Sequence, residues 1–431
     1  MAVSTLSVRN AKASDIRAAV LTGLALCAGV GLALLAASAP QCCDATGYHE
    51  EGVALVARGW GGGWLVTWKH NYIYPAFHGA MIGAGAGDRL SIVIAQLVLL
   101  YASVVFLAVA IARVFQRQFA PILAGLSLVA LLPAAAWSGY WLTEAITTPV
   151  TLALIGCWLL FAMRPGPLLA IAVGTLSTMT WMSRAAFVWL PPLAAIGIVA
   201  ALRREPSPRR RLSSVALFLI GVVAVVLPQW LIAPSADGLL HLSNAGYNSQ
   251  KAPAIFRAAT NLSGCGNLAM VFSPLTSQLD SIDAGTVRAP HSIGWRVTSS
   301  VAHVVSGWDA RPSPTYATVL SHWPWVAVTL LSGFIMLAPL KLAADESRRE
   351  TATAAFGLLA LFLLTQAQLA VTPVEFRYNV IGWMVAGVSF VVLGRSIDRR
   401  YLAYAATLTA LIVLIGQFTL YYSPAWKACA G

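Results

Sequence analysis

The chain alternates long apolar runs with short polar breaks. Runs of about 20 apolar residues, the length at which a helix crosses a bilayer, fall near 18–39, 90–112, 119–137, 145–163, 167–183, 186–202, 213–233, 322–340, 351–371, 379–394 and 401–421. The pattern predicts an all-α polytopic integral membrane protein of about 11 transmembrane helices. Two intervening segments are long, 40–89 and 234–321, and the rest are short. The expected organisation is an N-terminal membrane module over 1–233, a large loop over 234–321, and a C-terminal membrane module over 322–431. Within the break at 203–212, Arg203, Arg204, Pro206, Pro208 and Arg209 to Arg211 read as a charged hinge between two helical modules.

Composition agrees with the pattern. Of 431 residues 58% are hydrophobic and 10% charged, where a soluble domain carries roughly 25% charged residues. The net charge of +12 is then a statement about topology. Seventeen of the 28 Lys and Arg fall in breaks that share one side, among them Arg9, Lys12, Arg17, Arg113, Arg117, Arg164, the 203–211 cluster, Lys341, Arg348, Arg349, Arg395, Arg399 and Arg400. The positive-inside rule puts that side and the N-terminus in the cytoplasm, and 40–89 and 234–321 outside. No soluble basic domain is present to grip a phosphate backbone, so no nucleic-acid partner is expected. The first run follows basic residues as a signal peptide does, but its length exceeds the roughly 7–15 residues of such a core. It reads as a retained helix.

Chemistry concentrates in one polar island, Asp44 to Ala80. It holds Asp44, Tyr48, His49, Glu50, Glu51, Trp64, Trp68, Lys69, His70, Tyr72, Tyr74 and His78. Asp44 suits the N-cap of a short amphipathic helix over 45–58, and Gly59 suits its stop. Helical periodicity puts Asp44 and Glu51 nearly two turns apart on one face and rotates Glu50 away. Glu51 is therefore the better second acid and Glu50 the solvated one. The three histidines fit no standard metal spacing and read as surface or substrate-facing polar residues. Tyr72, Tyr74, Trp64 and Trp68 fit an interfacial aromatic belt or the wall of a lipid groove.

Elsewhere, Glu144 falls in the first turn of a helix, where the dipole favours an acid, and Arg184 and Arg377 sit at helix ends, where long basic side chains snorkel. No phosphate-cradling glycine loop of the nucleotide-binding kind occurs, so an activated donor has to arrive in the membrane or outside it. Of six cysteines, Cys42, Cys43, Cys265 and Cys429 fall on the outer side, where an oxidising compartment permits one bridge from the first pair to the second.

Asp44 followed by Tyr48 at the mouth of the first helix resembles the Asp-x-x-x-Tyr start of the first outer loop in GT-C glycosyltransferases. That family includes aminoarabinose transferases and protein O-mannosyltransferases. Lys69 with Tyr72-Ile73-Tyr74-Pro75 resembles the family's segment that re-enters the membrane. Thr143-Glu144 resembles its Ser/Thr-Glu step, Arg184 a recurrent basic position, and Arg377-Tyr378 its late Arg-Tyr signature. The likeness covers the helix layout to about residue 200 and the Arg-Tyr segment.

The resemblance implies a hexosyl- or pentosyltransferase of the bacterial inner membrane, active on its periplasmic face, with a polyprenyl-phosphate sugar as donor and an envelope glycan or lipid as acceptor. In an inverting transfer Asp44 would take the acceptor proton. Lys69, Arg184 and Arg377 would stabilise the departing phosphate, and Tyr48, Glu51, Tyr74, Glu144 and Tyr378 would line the substrate site. No cofactor is expected. A diphosphate donor would call for a divalent ion on Asp44, His49 or Glu51. The rivals are a transporter or flippase, disfavoured because the helix interiors show Gln96, Gln366, Gln368 and Gln417 and no firm mid-membrane charge, and an O-antigen ligase working through Arg311 and the histidines of 234–321.

Overall fold

The computed structural model describes residues 2–38, 45–62, 72–135, 137–184, 187–203, 205–232, 357–365, 380–393, 400–401, 403–408 and 410–411. Every element among them is helical. The chain divides into two compact units, Met1–Asn244 and Ala245–Gly431.

In the first unit α1 spans Ala2–Ser38, α2 Ala45–Gly62, α3 Ile73–Gly83 and α4 Arg89–Val114. Over the run expected at 119–137 the chain is continuously helical through 119–135, as α5 (Phe119–Leu126), one π turn (Ser127–Leu131) and α6 (Leu132–Ala135), and a 3-10 turn (Trp137–Gly139) follows. Then come α7 (Glu144–Met163), α8 (Pro167–Ser183), α9 (Leu190–Leu202) and α10 (Pro208–Ile232). Ser14–Ser38, Arg89–Val114, Glu144–Met163 and Pro208–Gln229 are long and apolar enough to cross a bilayer. Three shorter apolar helices accompany them, Phe119–Leu131, Pro167–Ser183 and Leu190–Leu202. The chain is thus an integral membrane protein. Of the expected count of 11, the described residues hold those four spans.

The second unit contributes α11 (Val380–Leu393) and described helical residues at 357–365, within the expected run at 351–371. The expected run at 322–340 and the loop 234–321 lie outside the described residues.

In the first unit the elements start and stop where backbone chemistry directs. Asp88 caps α4, its carboxylate accepting from Ser91 N at 3.0 Å and from Ser91 Oγ at 2.5 Å. Pro167 opens α8 and Pro208 opens α10, at positions where the missing N–H costs nothing. α10 therefore takes Arg209 to Arg211 into its first turn, and α8, α9 and α10 belong to one unit. Helices α8 and α10 meet backbone to backbone. A Cβ on Gly174 would collide with Phe218 O, and one on Gly221 would lie 2.5 Å from Ile171 O. This is the small-residue contact by which helices associate in lipid.

Thr147, Thr151, Ser177, Thr178 and Thr180 of α7 and α8 donate their hydroxyls to carbonyls one turn back, as a low-dielectric surrounding favours. Thr151 Oγ1 donates to Thr147 O at 2.7 Å and Thr178 Oγ1 to Gly174 O at 2.8 Å. One such group also crosses between helices: Thr147 Oγ1 lies 2.8 Å from Ser183 Oγ, joining the first turns of α7 to the last turn of α8.

Candidate functional site

The described part of the polar island is two helices, α2 and α3, which pack along a seam of glycine with Tyr48 beside Tyr74 and Leu55 beside Gly79. A Cβ on Gly52 would lie 2.7 Å from His78 Cβ and 3.1 Å from Pro75 O, and one on Gly79 would lie 2.8 Å from Leu55 Cδ2. Only glycine permits that approach. Gly59 carries φ +69° and interrupts α2, which resumes to Gly62 and so outruns the expected stop. The expected division of the two acids is seen in burial: Glu51 is buried and Glu50 exposed.

α3 is fixed at both of its tyrosines. The backbone N–H of Tyr72 donates to Gln229 Oε1 at 2.9 Å, and its phenol donates to Val225 O at 2.8 Å, both on α10. Burial pushes the Tyr72 hydroxyl up to about 12. Tyr74, fully buried, places its hydroxyl 3.0 Å from the Gln96 amide on α4. With Gln96 Oε1 accepting from that hydroxyl, its Nε2 donates to Ser138 O at 2.9 Å and Tyr140 O at 3.3 Å. One glutamine thus satisfies α3 and the irregular backbone of 137–140, where unmet carbonyls would be costly. Burial raises the Tyr74 hydroxyl well above its ordinary value, and the nearby Tyr48 and Glu144 act in the same direction. Tyr72 and Tyr74 are therefore interior residues, a correction to the expected aromatic belt.

Around Tyr74 the rings interlock. Tyr48 meets it edge-on at 5.1 Å and 72°, and His78 at 4.7 Å and 87°. Trp141 stacks on His49 at 4.5 Å and 20°, and its ring meets His78 edge-on at 5.3 Å. The two imidazoles face each other, Nδ1 to Nδ1, at 3.4 Å. That is longer than the usual N–H···N bond and needs one tautomer of each kind. His78 is fully buried, so of the two places expected for it, surface or substrate-facing, it does not take the surface. Burial depresses it to about 3, helped by His49. Burial also lowers His49, against a raising effect from Glu50.

Beside this cluster Arg184 Nη1 donates to Glu144 Oε1 at 2.7 Å, with 10% and 2% of the two side chains exposed. Each charge also sits at the helix end that favours it: Glu144 opens α7 and Arg184 caps the C-terminus of α8. Arg184 thereby donates to a carboxylate through one Nη.

Of the expected site residues, Tyr48, Tyr74, Glu144 and Arg184 come together here, and Glu51 is buried on α2. Asp44, Lys69, Arg377 and Tyr378 lie outside the described residues, as do Cys42, Cys43, Cys265 and Cys429. The fold adds Gln96, Trp141, His49 and His78, which the sequence showed only as scattered polar and aromatic positions. Among the described residues no group of three or more His, Cys, Asp or Glu is placed to hold a metal ion.

No family profile matches the chain, and no curated protein matches it. Among solved structures it is similar to the archaeal oligosaccharyltransferase AglB from Archaeoglobus fulgidus, in complex with an inhibitory peptide and a dolichol-phosphate, at 12% identity and a TM-score of 0.45. The match covers 95% of this chain and 56% of that one, so the chain spans about half the length of that protein.

Proposed function

We propose that this chain is a membrane-embedded glycosyltransferase that moves a sugar from a polyprenyl-phosphate donor to an acceptor hydroxyl on the outer face. One observation carries the reading. Helices α2 and α3 bring Tyr48 and Tyr74 beside the Glu144–Arg184 pair, at the outward ends that sequence topology assigns to α7 and α8. Hydroxyls, a carboxylate and a guanidinium in one partly water-excluded place are the groups that hold a sugar and a departing phosphate.

In this reading Asp44, which directly precedes α2, takes the acceptor proton as the hydroxyl attacks the anomeric carbon. Arg184 and Lys69, with Arg377, offset the charge that develops on the lipid phosphate. Glu144 holds the Arg184 guanidinium in one orientation, so that the cation needs no reorganisation during transfer. Tyr74 stays protonated and serves as a hydrogen-bonding wall.

The test is transfer from radiolabelled polyprenyl-phosphate sugars in membranes carrying wild type, Asp44→Asn or Arg311→Ala. Loss confined to Asp44→Asn supports the proposal. Loss confined to Arg311→Ala transfers the chemistry to the 234–321 loop, as in a ligase. A wild type that transfers nothing, yet exchanges a solute in counterflow, makes the chain a transporter.

A further inference from the structure

We propose that Gln229 of α10 is a positioning residue, which latches the first residue before α3 and so sets where Tyr74 stands against Glu144; for its kinetic consequence this rests on the function proposed above. The first donors of a helix have no partner within it. Tyr72, the residue before Ile73, is 7% exposed, so water cannot serve its N–H. The side chain of Tyr72 makes no cap for α3. Its N–H turns instead to Gln229 Oε1 at 2.9 Å, across 157 positions of sequence. Gln229 is itself 4% exposed.

The latch has a second bolt on the same turn. Tyr72 Oη donates to Val225 O at 2.8 Å, and Pro228, inside α10, withholds one N–H from that turn. Backbone and side chain of a single residue are thus tied to a single turn of α10. Two residues further on stands Tyr74, whose hydroxyl must meet Gln96, and four beyond that His78, whose Cβ abuts Gly52. A glycine seam leaves little room for a compensating shift. Releasing Tyr72 therefore lets α3 slide or rotate, and the rings around Tyr74 move with it.

The experiment uses the full chain in nanodiscs, with Gln229→Leu, Gln229→Glu and Tyr72→Phe. Amide exchange is followed over 72–83, with 144–163 as internal reference, and transfer is followed with a polyprenyl-phosphate sugar. Gln229→Leu leaves a buried N–H unmet, so exchange over 72–83 should accelerate about ten- to hundredfold while the reference stays unchanged. In transfer, kcat should fall about tenfold or more with KM nearly constant, since misplacement of about 1 Å costs that much or more. Gln229→Glu keeps an acceptor oxygen and should restore both. Tyr72→Phe removes one bolt, should give an intermediate effect, and serves if Gln229→Leu does not fold. Unchanged exchange in both Gln229→Leu and Tyr72→Phe overturns the latch, whatever transfer does. Faster exchange with wild-type kcat overturns the positioning role. A wild type without transfer overturns the functional reading instead, and exchange then still decides the latch.

Discussion

Glu144 and Arg184, 40 positions apart, close a 2.7 Å ion pair between the start of α7 and the end of α8. A nearly buried pair of this kind is a weak source of net stability, because desolvation offsets most of the attraction. Breaking it from one side is another matter. Arg184→Ala leaves the Glu144 carboxylate, 2% exposed, without its partner, and should cost about 3–5 kcal/mol. The double variant Glu144→Gln/Arg184→Gln should recover most of that stability and still fail to transfer. Thermal unfolding in detergent together with the transfer assay checks both halves. If the double variant turned over normally, the pair would be structural only.

Why sequence reasoning reached Glu144 and Arg184 without pairing them is instructive. Each stood at a helix end on the same predicted face, with a dipole or snorkelling explanation sufficient in isolation. Opposite charges at neighbouring ends of two helices joined by a short loop were the available signal. The burial difference between Glu50 and Glu51 was readable because α2 obeys a 3.6-residue period. His78 was not, because α3 has only 11 residues and packs on α2 while its tyrosines reach α4 and α10; a short helix covered on several sides shows no polar stripe. Gln96 looked like a stray amide in a membrane helix, and its partners, Tyr74 and two carbonyls of 138–140, come from non-adjacent stretches.

The buried imidazoles predict acid sensitivity, and the sign follows from proton uptake. His78 is held near 3 when folded, while an exposed histidine titrates near 6.5. Between those values the unfolded chain binds more protons than the folded one, so stability falls as pH drops through this window and is fully present above it. His49 is shifted the same way. Unfolding temperature followed from pH 7 towards pH 4 should decline for wild type and decline less for His78→Phe. Equal slopes would show that other groups govern the acid response.

Two glycines, Gly52 of α2 and Gly83 of α3, should respond oppositely to a methyl group. At Gly52 the new Cβ would press on His78 Cβ at 2.7 Å and on Gly79 N at 3.0 Å. Neither neighbour is a flexible side-chain end, and Gly52→Ala should cost about 1–3 kcal/mol as overpacking. At Gly83 a Cβ meets nothing within 4 Å and the residue closes α3. Gly83→Ala should be neutral or stabilising by up to ~1 kcal/mol. Paired unfolding measurements decide it, and a Gly52→Ala variant as stable as wild type would mean that the seam is looser than its contacts state.

The last prediction separates a satisfied polar core from a merely packed one. Tyr74→Phe removes the hydroxyl that Gln96 meets at 3.0 Å and strands one amide position in the interior. Such a group costs about 1–3 kcal/mol, more than the hydrogen bond contributes as a net gain. Gln96→Leu alone should cost more than Tyr74→Phe, because it also strands the carbonyls of Ser138 and Tyr140 and the hydroxyl of Tyr74. If Gln96 acts as the junction between α3 and the 137–140 segment, the Tyr74→Phe/Gln96→Leu double variant should be less destabilised than the sum of the two singles, since each single already abolishes the shared bond. A double-mutant cycle on unfolding free energies measures this, and strict additivity would mean that Tyr74 and Gln96 touch without coupling. Transfer should fall most in the variants lacking Gln96, because that residue also holds the strip leading to Trp141 and Glu144.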